Sequence, residues 1–484
     1  MYTGGASATW PGNASPGANP AKVDIGRCLG APALVSVPAN REEEDKAMTV
    51  WIGVRCEDKN EWERRVPVTP HDATGLQREH GIRVIVQPSA IRVFTDEEFT
   101  QAGVSVQGDL SACPVVFGIK EMPKQFFEAD KTYVFFAHVI KGQPYNMPML
   151  QRMLDLGCTL IDYERVVDDK NRRLIFFGWH AGVAGSIDTL WALGQRLAWE
   201  GIPNPFTDLH QTHTYRNLAE AKEALGRVRA RIEAEGLPEQ VTPLIFGVAG
   251  YGNVSRGVQE MLDLLPIIEI EPEGVATLAA SADYSRHHLY KAVFKEWHMV
   301  EPISPDWTFE LQDYYDHPKK YQGVFERYLP HLTVLVNAIF WTEAYPRLVT
   351  KAALKTLFGG VAQPRLQVIG DISCDVEGAI ECTVKCTEPG DPVFIYDPLT
   401  GEVTDGYEGP GVVVLAVDIL PSELPREAST YFSQVLRSFI PAIAQCDYCM
   451  PFEECHLSPE IKRAVIAYRG QLTPDYQYIQ EYLD

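Results

Sequence analysis

Residues 246–257 read FGVAGYGNVSRG. Four glycines fall in these twelve positions, directly after the apolar run Leu244–Ile245–Phe246. Downstream, Val254, Val258, Met261, Leu262 and Leu265 recur at helical spacing and make one apolar face. A second apolar run, IIEI, ends in Glu271, which stands 21 positions after Gly250. Strand, bare turn, helix, strand and acid form the order that a dinucleotide requires. The glycines let a pyrophosphate reach the N–H groups at the start of a helix, and an acid about 20 residues on accepts the ribose hydroxyls. The stretch therefore predicts a nicotinamide-nucleotide site at Gly247, Gly250, Gly252, Asn253, Val254 and Glu271. Ser255 stands where a third glycine is usual, and Gly257 falls two positions later. Glu271 would repel a 2′-phosphate, whereas Arg256 would attract one, so the cofactor is expected to be NADP or NAD.

Upstream of that turn, strands and helices alternate from Thr49 onward. TVWIGV, IRVIVQ, CPVVFGI, TYVFFAH and CTLIDY are short, rich in β-branched or aromatic residues, and bounded by polar loops. A helix over TPHDATGLQREHG stops at Gly81. A longer one begins near Val183, with Val183, Ile187, Leu190, Trp191, Gly194 and Leu197 on its core face. Residues 217–240 read as an exposed helix of mixed charge. Past residue 350 come RLQVIGDIS, GVVVLAVDI and the helical EASTYFSQVLRSFIPAI. Such alternation predicts an α/β protein with mainly parallel, doubly wound sheets. The expected architecture is two Rossmann-like domains with a cleft between them, the first discontinuous. Residues 48–200 and 351–484 make the substrate domain, and 201–350 the dinucleotide-binding domain. Residues 1–47 are rich in Gly, Ala, Ser and Pro and read as a disordered tail, with Met48 a candidate start.

At 484 residues the chain is too long for one ordinary core. A net charge of -22 argues against non-specific binding to nucleic acid or to anionic membranes. An anionic ligand would need a local basic pocket. Ten scattered cysteines do not form a disulfide framework, which favours a reducing compartment, the cytoplasm, with the mitochondrion as alternative. Cys446, Cys449, Cys455 and His456 lack regular zinc-ligand spacing, and no metal is expected.

The segment VRCEDKNEWERRVPVTP (54–70) supplies that basic pocket, with Arg55, Lys59, Arg64 and Arg65 in one loop. Lys120 and Glu121 follow one apolar strand, His138 the next, and Glu164 a third. Asp371 follows a strand in the same way in VIGDIS. The carboxyl edge of a parallel sheet is where ligands bind. Alone, Lys120 reads as a solvated loop residue and His138 as a core histidine. Gathered at strand ends, a lysine near other cations and a histidine suit acid–base chemistry near neutrality.

NEWERRVPVTP, GIKEMP, FFAHVIK, LIDYE, FGWHAGVAG, GYGNVSRG, SRHH, GDIS and PDYQYIQ occur here in that order. In these the chain resembles the lysine-ketoglutarate reductase portion of the bifunctional aminoadipic semialdehyde synthases. It is more distantly similar to lysine-forming saccharopine dehydrogenase and to the alanine dehydrogenase/transhydrogenase family. The resemblance implies condensation of lysine with 2-oxoglutarate and reduction of the imine to saccharopine by NAD(P)H. It assigns catalysis to Lys120 and His138. Lys59 and Arg65 would hold substrate carboxylates, Glu121 and Glu164 would line the cleft, and Asp371 would face the substrate amine or the nicotinamide. A separate glutamate-forming enzyme would take the product onward, and a homo-oligomer is compatible with the sequence. The rival readings are an alanine-type amino-acid dehydrogenase and a non-catalytic nucleotide-binding regulator. Arg286–His288 carry no role beyond contact with the cofactor edge.

Overall fold

The computed structural model describes residues 50–360 and 364–483. The tail expected at residues 1–47 lies outside the described residues. Six strands come first: β1 (Val50–Val54), β2 (Ile82–Val86), β3 (Ser105–Val106), β4 (Val115–Phe117), β5 (Thr132–Phe135) and β6 (Thr159–Asp162). They pair in parallel in the order β6-β5-β4-β1-β2-β3. Next come β7 (Ile245–Ala249), β8 (Ile267–Glu269) and β9 (Leu289–Phe294), then a separate antiparallel pair, β10 (Val300–Pro302) with β11 (Tyr321–Gly323). They are followed by β12 (Val334–Asn337), β13 (Val368–Asp371), β14 (Val393–Tyr396), β15 (Val403–Asp405) and β16 (Val412–Leu415). The second sheet runs β15-β14-β16-β13-β12-β7-β9-β8, antiparallel only at β14 and β15. Finally β17 (Val465–Tyr468) and β18 (Gln471–Leu472) rejoin the first sheet, antiparallel beside β6.

Two eight-stranded, mainly parallel sheets and a discontinuous first unit match the expected class. The places where the chain crosses differ from those read in the sequence. The helix Gly178–Trp199 packs Val183, Ile187, Leu190 and Leu197 into the core of the second sheet, so the crossing precedes residue 200. Strands β13 to β16 pair in the second sheet too, so residues 368–415 do not return to the first, as a boundary at 351 requires. The return comes at the helix Pro425–Arg437, whose Phe432 and Leu436 enter the first core. Sheet membership is fixed by long-range pairing, to which the composition of a single strand is blind.

Local signals were otherwise obeyed. The helix Pro70–His80 begins at Thr69, which accepts from the Asp72 N–H, and ends at Gly81 in the left-handed region, φ 67°. The helix Leu218–Glu235 is amphipathic rather than exposed throughout, since Ala221, Leu225, Val228 and Ile232 are buried. The helices Gly178–Trp199 and Asn253–Leu262 cross with almost no space between their backbones. A Cβ on Gly182 would lie 1.9 Å from the Val254 carbonyl oxygen, and one on Gly257 would lie 2.3 Å from that of Trp179. Gly257 thus does the packing work that the missing third glycine would do at Ser255, itself buried. No helix among the described residues is long and apolar enough to cross a membrane.

Candidate active site

Because β1, β4, β5 and β6 are parallel, their carboxyl ends lie along one edge, and the residues just beyond them meet. Glu121 is the hub. Its Oε1 lies 2.7 Å from His138 Nδ1, and its Oε2 accepts from Lys59 Nζ at 2.8 Å. Burial alone would raise the Glu121 carboxyl, but the hydrogen bonds to His138 and Lys59 overcome it and hold the group well below the usual carboxylate range. His138 sits at φ 49°, a conformation that costs energy for a non-glycine residue. Asn146, which is buried, holds the bend by donating to the carbonyls of Ala137 (3.1 Å) and His138 (3.2 Å).

The Lys120 ammonium stands beside this hub with no hydrogen-bond acceptor among the described residues. Burial, and then the Arg65 and Lys59 charges, lower the proton affinity of its ammonium against the pull of Glu63 and Glu121. Its backbone is fixed from below, since the buried Glu57 carboxylate accepts the N–H groups of Ile119 (2.7 Å) and Lys120 (3.0 Å). Burial pushes the Glu57 carboxyl up to about 7, opposed mainly by Arg55. Arg65 gives Nε and Nη2 to Glu63 at 2.7 and 2.5 Å and lies 4.6 Å over the Phe177 ring. Its Nη1 has no hydrogen-bond partner among the described residues. Glu164 is set apart from the hub, paired with Arg173 and braced by Asp162. Glu57, Glu63, Asn146 and Asp162 were missed by sequence reasoning. The first two lie in the quoted basic loop and could have been noticed there; the others carry no pattern.

On the second sheet, Gly250 takes φ 98°, and a Cβ there would come within 2.8 Å of the Ala338 carbonyl oxygen. Gly252 precedes the helix Asn253–Leu262 with no side-chain cap, and open space lies on its Cβ side. Uncapped N–H groups behind a bare backbone fit a pyrophosphate. Gly247 and Val254 also serve packing: a Cβ on Gly247 would meet Leu332 at 2.6 Å, and the Val254 carbonyl lies against Gly182. Glu271 stands apart from the glycine turn in the strand order. It follows the edge strand β8, and β9 intervenes between β8 and β7. The acid beyond the strand adjoining the glycine turn is Glu296, near the loop residue Tyr251 (3.4 Å) and accepting from Tyr315 (2.7 Å). Its Oε2 is buried without a partner among the described residues. The count of 21 residues to Glu271 meets the rule, but in the sheet β9 lies between its strand and β7.

Asp371 ends β13, almost fully buried, and accepts from Asn337 Nδ2 at 2.8 Å, Thr383 Oγ1 at 2.6 Å and the Cys374 N–H at 3.2 Å. Burial pushes its carboxyl up to about 6 against those bonds. Lys141, three residues beyond His138, acts electrostatically on Asp375, four residues beyond Asp371, so the two edges lie within electrostatic reach of each other. A cavity of about 680 Å³ opens between the starts of the helices Gly178–Trp199, Asn253–Leu262 and Pro425–Arg437. Asn253, Arg256, His180 and Tyr431 line it, whereas Lys120, His138 and Asp371 do not. Arg286 and His287 instead bind carbonyls near the end of the helix Leu218–Glu235. Among the described residues no group of three or more His, Cys, Asp or Glu side chains is placed to hold a metal.

Two α/β units, each built on a mainly parallel eight-stranded sheet, define a class of two-domain nucleotide-binding proteins. Models of the alanine dehydrogenase/PNT N-terminal and C-terminal domains match residues 53–184 and 310–475, more than half of the chain together. The chain belongs to that family. It is 36% identical over 455 residues to alpha-aminoadipic semialdehyde synthase of Arabidopsis thaliana, covering 90% of this chain and 42% of the relative. The Mus musculus protein named alpha-aminoadipic semialdehyde synthase, mitochondrial, is 34% identical, with 89% and 47% covered. The chain thus spans less than half the length of these relatives. A Neurospora crassa saccharopine dehydrogenase, named as NAD(+)-dependent and L-lysine-forming, is 28% identical over 80% of this chain and 89% of its own. A solved L-alanine dehydrogenase shares the fold at 17% identity, covering 90% of this chain and all of its own, with a TM-score of 0.57. A transhydrogenase from Sinorhizobium meliloti, at 14% identity, covers 87% of this chain and all of its own with a TM-score of 0.51.

Proposed function

We propose that the chain is a lysine–2-oxoglutarate reductase, the activity of an L-lysine-forming saccharopine dehydrogenase, working in lysine degradation. The observation that carries the reading is the Glu121 hub, which holds Lys59 and His138 beside the half-buried Lys120, whose ammonium is unpaired among the described residues. The ε-amine of lysine adds to the keto carbon of 2-oxoglutarate, and water leaves to give an imine. A bound nicotinamide nucleotide supplies the hydride that makes saccharopine. The protein's own side chains do the rest. Glu121 occupies Nδ1 of His138 and so leaves Nε2 to exchange protons with the carbinolamine hydroxyl. Lys120 exchanges a proton with the substrate nitrogen, helped by a lowered proton affinity. Lys59 and the free Nη1 of Arg65 hold carboxylates. Closure of the gap between the sheets would exclude water from the imine.

Glu296 makes NAD the favoured cofactor, because a carboxylate at the end of the strand beside the glycine turn accepts ribose hydroxyls and repels a 2′-phosphate. Glu296→Gln is expected to shift the NADH/NADPH preference, as a ratio of kcat/KM, by about tenfold toward NADPH. Glu271→Gln should leave the ratio unchanged; a shift at 271 and none at 296 restores the spacing-based assignment. The decisive assay for the activity follows NADH and NADPH oxidation with lysine plus 2-oxoglutarate, and with each omitted. Oxidation that needs both substrates is the expected result. Oxidation indifferent to lysine, or seen instead with pyruvate and ammonia, would discard it in favour of an alanine-type dehydrogenase, and no oxidation in the presence of nucleotide binding would favour a regulator. The mouse, rat and cattle relatives are named mitochondrial, which sets that compartment against the cytoplasm in cell fractionation.

A further inference from the structure

Cys374 and Cys386 face each other next to Asp371, with their sulfurs 3.7 Å apart. The two differ in access: Cys374 is buried and Cys386 is exposed. Cys374 also sits at φ 51°, in a bend that a non-glycine residue adopts at a cost. Its Sγ lies 2.8 Å from the Ala416 carbonyl oxygen. The Cys374 S–H has two acceptors within reach, the Ala416 carbonyl and Cys386 Sγ, and donation to the latter favours the thiolate at Cys386 against burial, the form that is the nucleophile. The other close pair, Cys446 and Cys455, lacks this bias, because burial first and then its neighbour push the Cys446 thiol up to about 11.

What the pair touches gives it a consequence. The Cys374 N–H donates to Asp371 Oδ1 at 3.2 Å, and Thr383, three residues before Cys386, donates to Asp371 Oδ2 at 2.6 Å. Both segments bearing the cysteines therefore hold the Asp371 carboxylate. A disulfide needs its sulfurs about 2.05 Å apart, so closing the link moves one or both segments.

We infer that Cys386 is a peroxide-reactive modification site, that Cys374 resolves it as an internal disulfide, and that this link displaces the partners of Asp371. The Cys386 thiolate attacks one oxygen of hydrogen peroxide, the O–O bond breaks, and the leaving hydroxide takes a proton from solvent to become water. The resulting sulfenic acid is attacked by Cys374 Sγ. An S–S bond forms, the S–O bond breaks, and the second oxygen leaves as water with the proton of the Cys374 thiol. Two thiols supply the two electrons that reduce one peroxide, and a dithiol reductant reverses the link.

The test uses the full chain, treated with stoichiometric hydrogen peroxide, alkylated and mapped without reduction. The expected product is a peptide pair joined through Cys374 and Cys386, absent from Cys374→Ala and Cys386→Ser and lost on adding dithiothreitol. Sulfinic acid at Cys386 without a link, a link from Cys382 to Cys386, or earlier oxidation of Cys446 and Cys455 would overturn the inference. In the same samples NADH affinity, read by nucleotide fluorescence, should fall about tenfold on oxidation of the wild type and stay constant in both variants. A fully formed link with unchanged NADH affinity would overturn the displacement of the Asp371 partners. The affinity readout rests on the nucleotide reading above and the linkage readout does not. A reduced protein that binds no NADH yet forms the link would therefore indict the nucleotide reading alone.

Discussion

Lys120→Met is expected to reduce turnover with lysine, 2-oxoglutarate and NADH by about 10²–10⁴-fold, the usual worth of general acid–base assistance. The thermal midpoint should hardly move, because the Lys120 ammonium makes no hydrogen bond among the described residues whose loss could unfold the site. Removing a cation from among Arg65 and Lys59 also relieves repulsion, which opposes any loss of stability. NADH affinity should be retained, since the glycine turn lies on the other sheet. Lys120→Arg should not rescue, as a guanidinium keeps its proton in any protein. Small primary amines added to Lys120→Ala should restore part of the rate. A variant that keeps more than a tenth of wild-type turnover would show that the nitrogen at 120 is a bystander.

Gly182→Ala should give the largest loss of stability. The added Cβ would lie 1.9 Å from the Val254 carbonyl oxygen and 3.0 Å from the Val258 nitrogen, both backbone atoms in a helix. Neither can rotate aside as a side chain would, so the two helices must separate. We expect a cost of about 3 kcal/mol, at the upper end of ordinary overpacking, seen as a lower urea midpoint with little change in slope. NADH affinity should fall as well, because the displaced helix begins at Gly252 and Asn253. Gly226→Ala is the control. It lies within the helix Leu218–Glu235, with nothing within 4 Å of its Cβ position. There the exchange should stabilise by about 0.5–1 kcal/mol through helix propensity. Equal effects at 182 and 226 would mean that the helix crossing is looser than its geometry.

Much of this was legible in the chain itself. Short apolar runs marked the central strands because a parallel sheet covered on both faces tolerates little else. Gly81 marked a helix end because only a left-handed residue closes it. Lys120, Glu121 and His138 could be brought together on paper, since parallel strands set their carboxyl ends side by side. Other features were hidden for definite reasons. Glu271 satisfied a residue count, but a count does not see that β9 inserts beside β7. Gly247, read as a cofactor contact, and Gly257, read as a displaced third glycine, are also places where side chains or backbones press close. The allegiance of β13 to β16 rested on pairing with β12, far away in sequence. Asn146, which locks the bend at His138, lies in a loop with no periodicity to betray it.

The way into the second unit and the way out of it are neighbours: the rings of Phe177 and Phe432 stack 5.1 Å apart. A body joined to its base by two adjacent tethers has a single natural hinge line, running through that stack. Swinging about it would widen or narrow the space between Lys120 and Asp371 like the jaws of pliers, while sideways drift would strain both tethers together. The reacting groups could then separate to release product and meet again in the same register on every cycle.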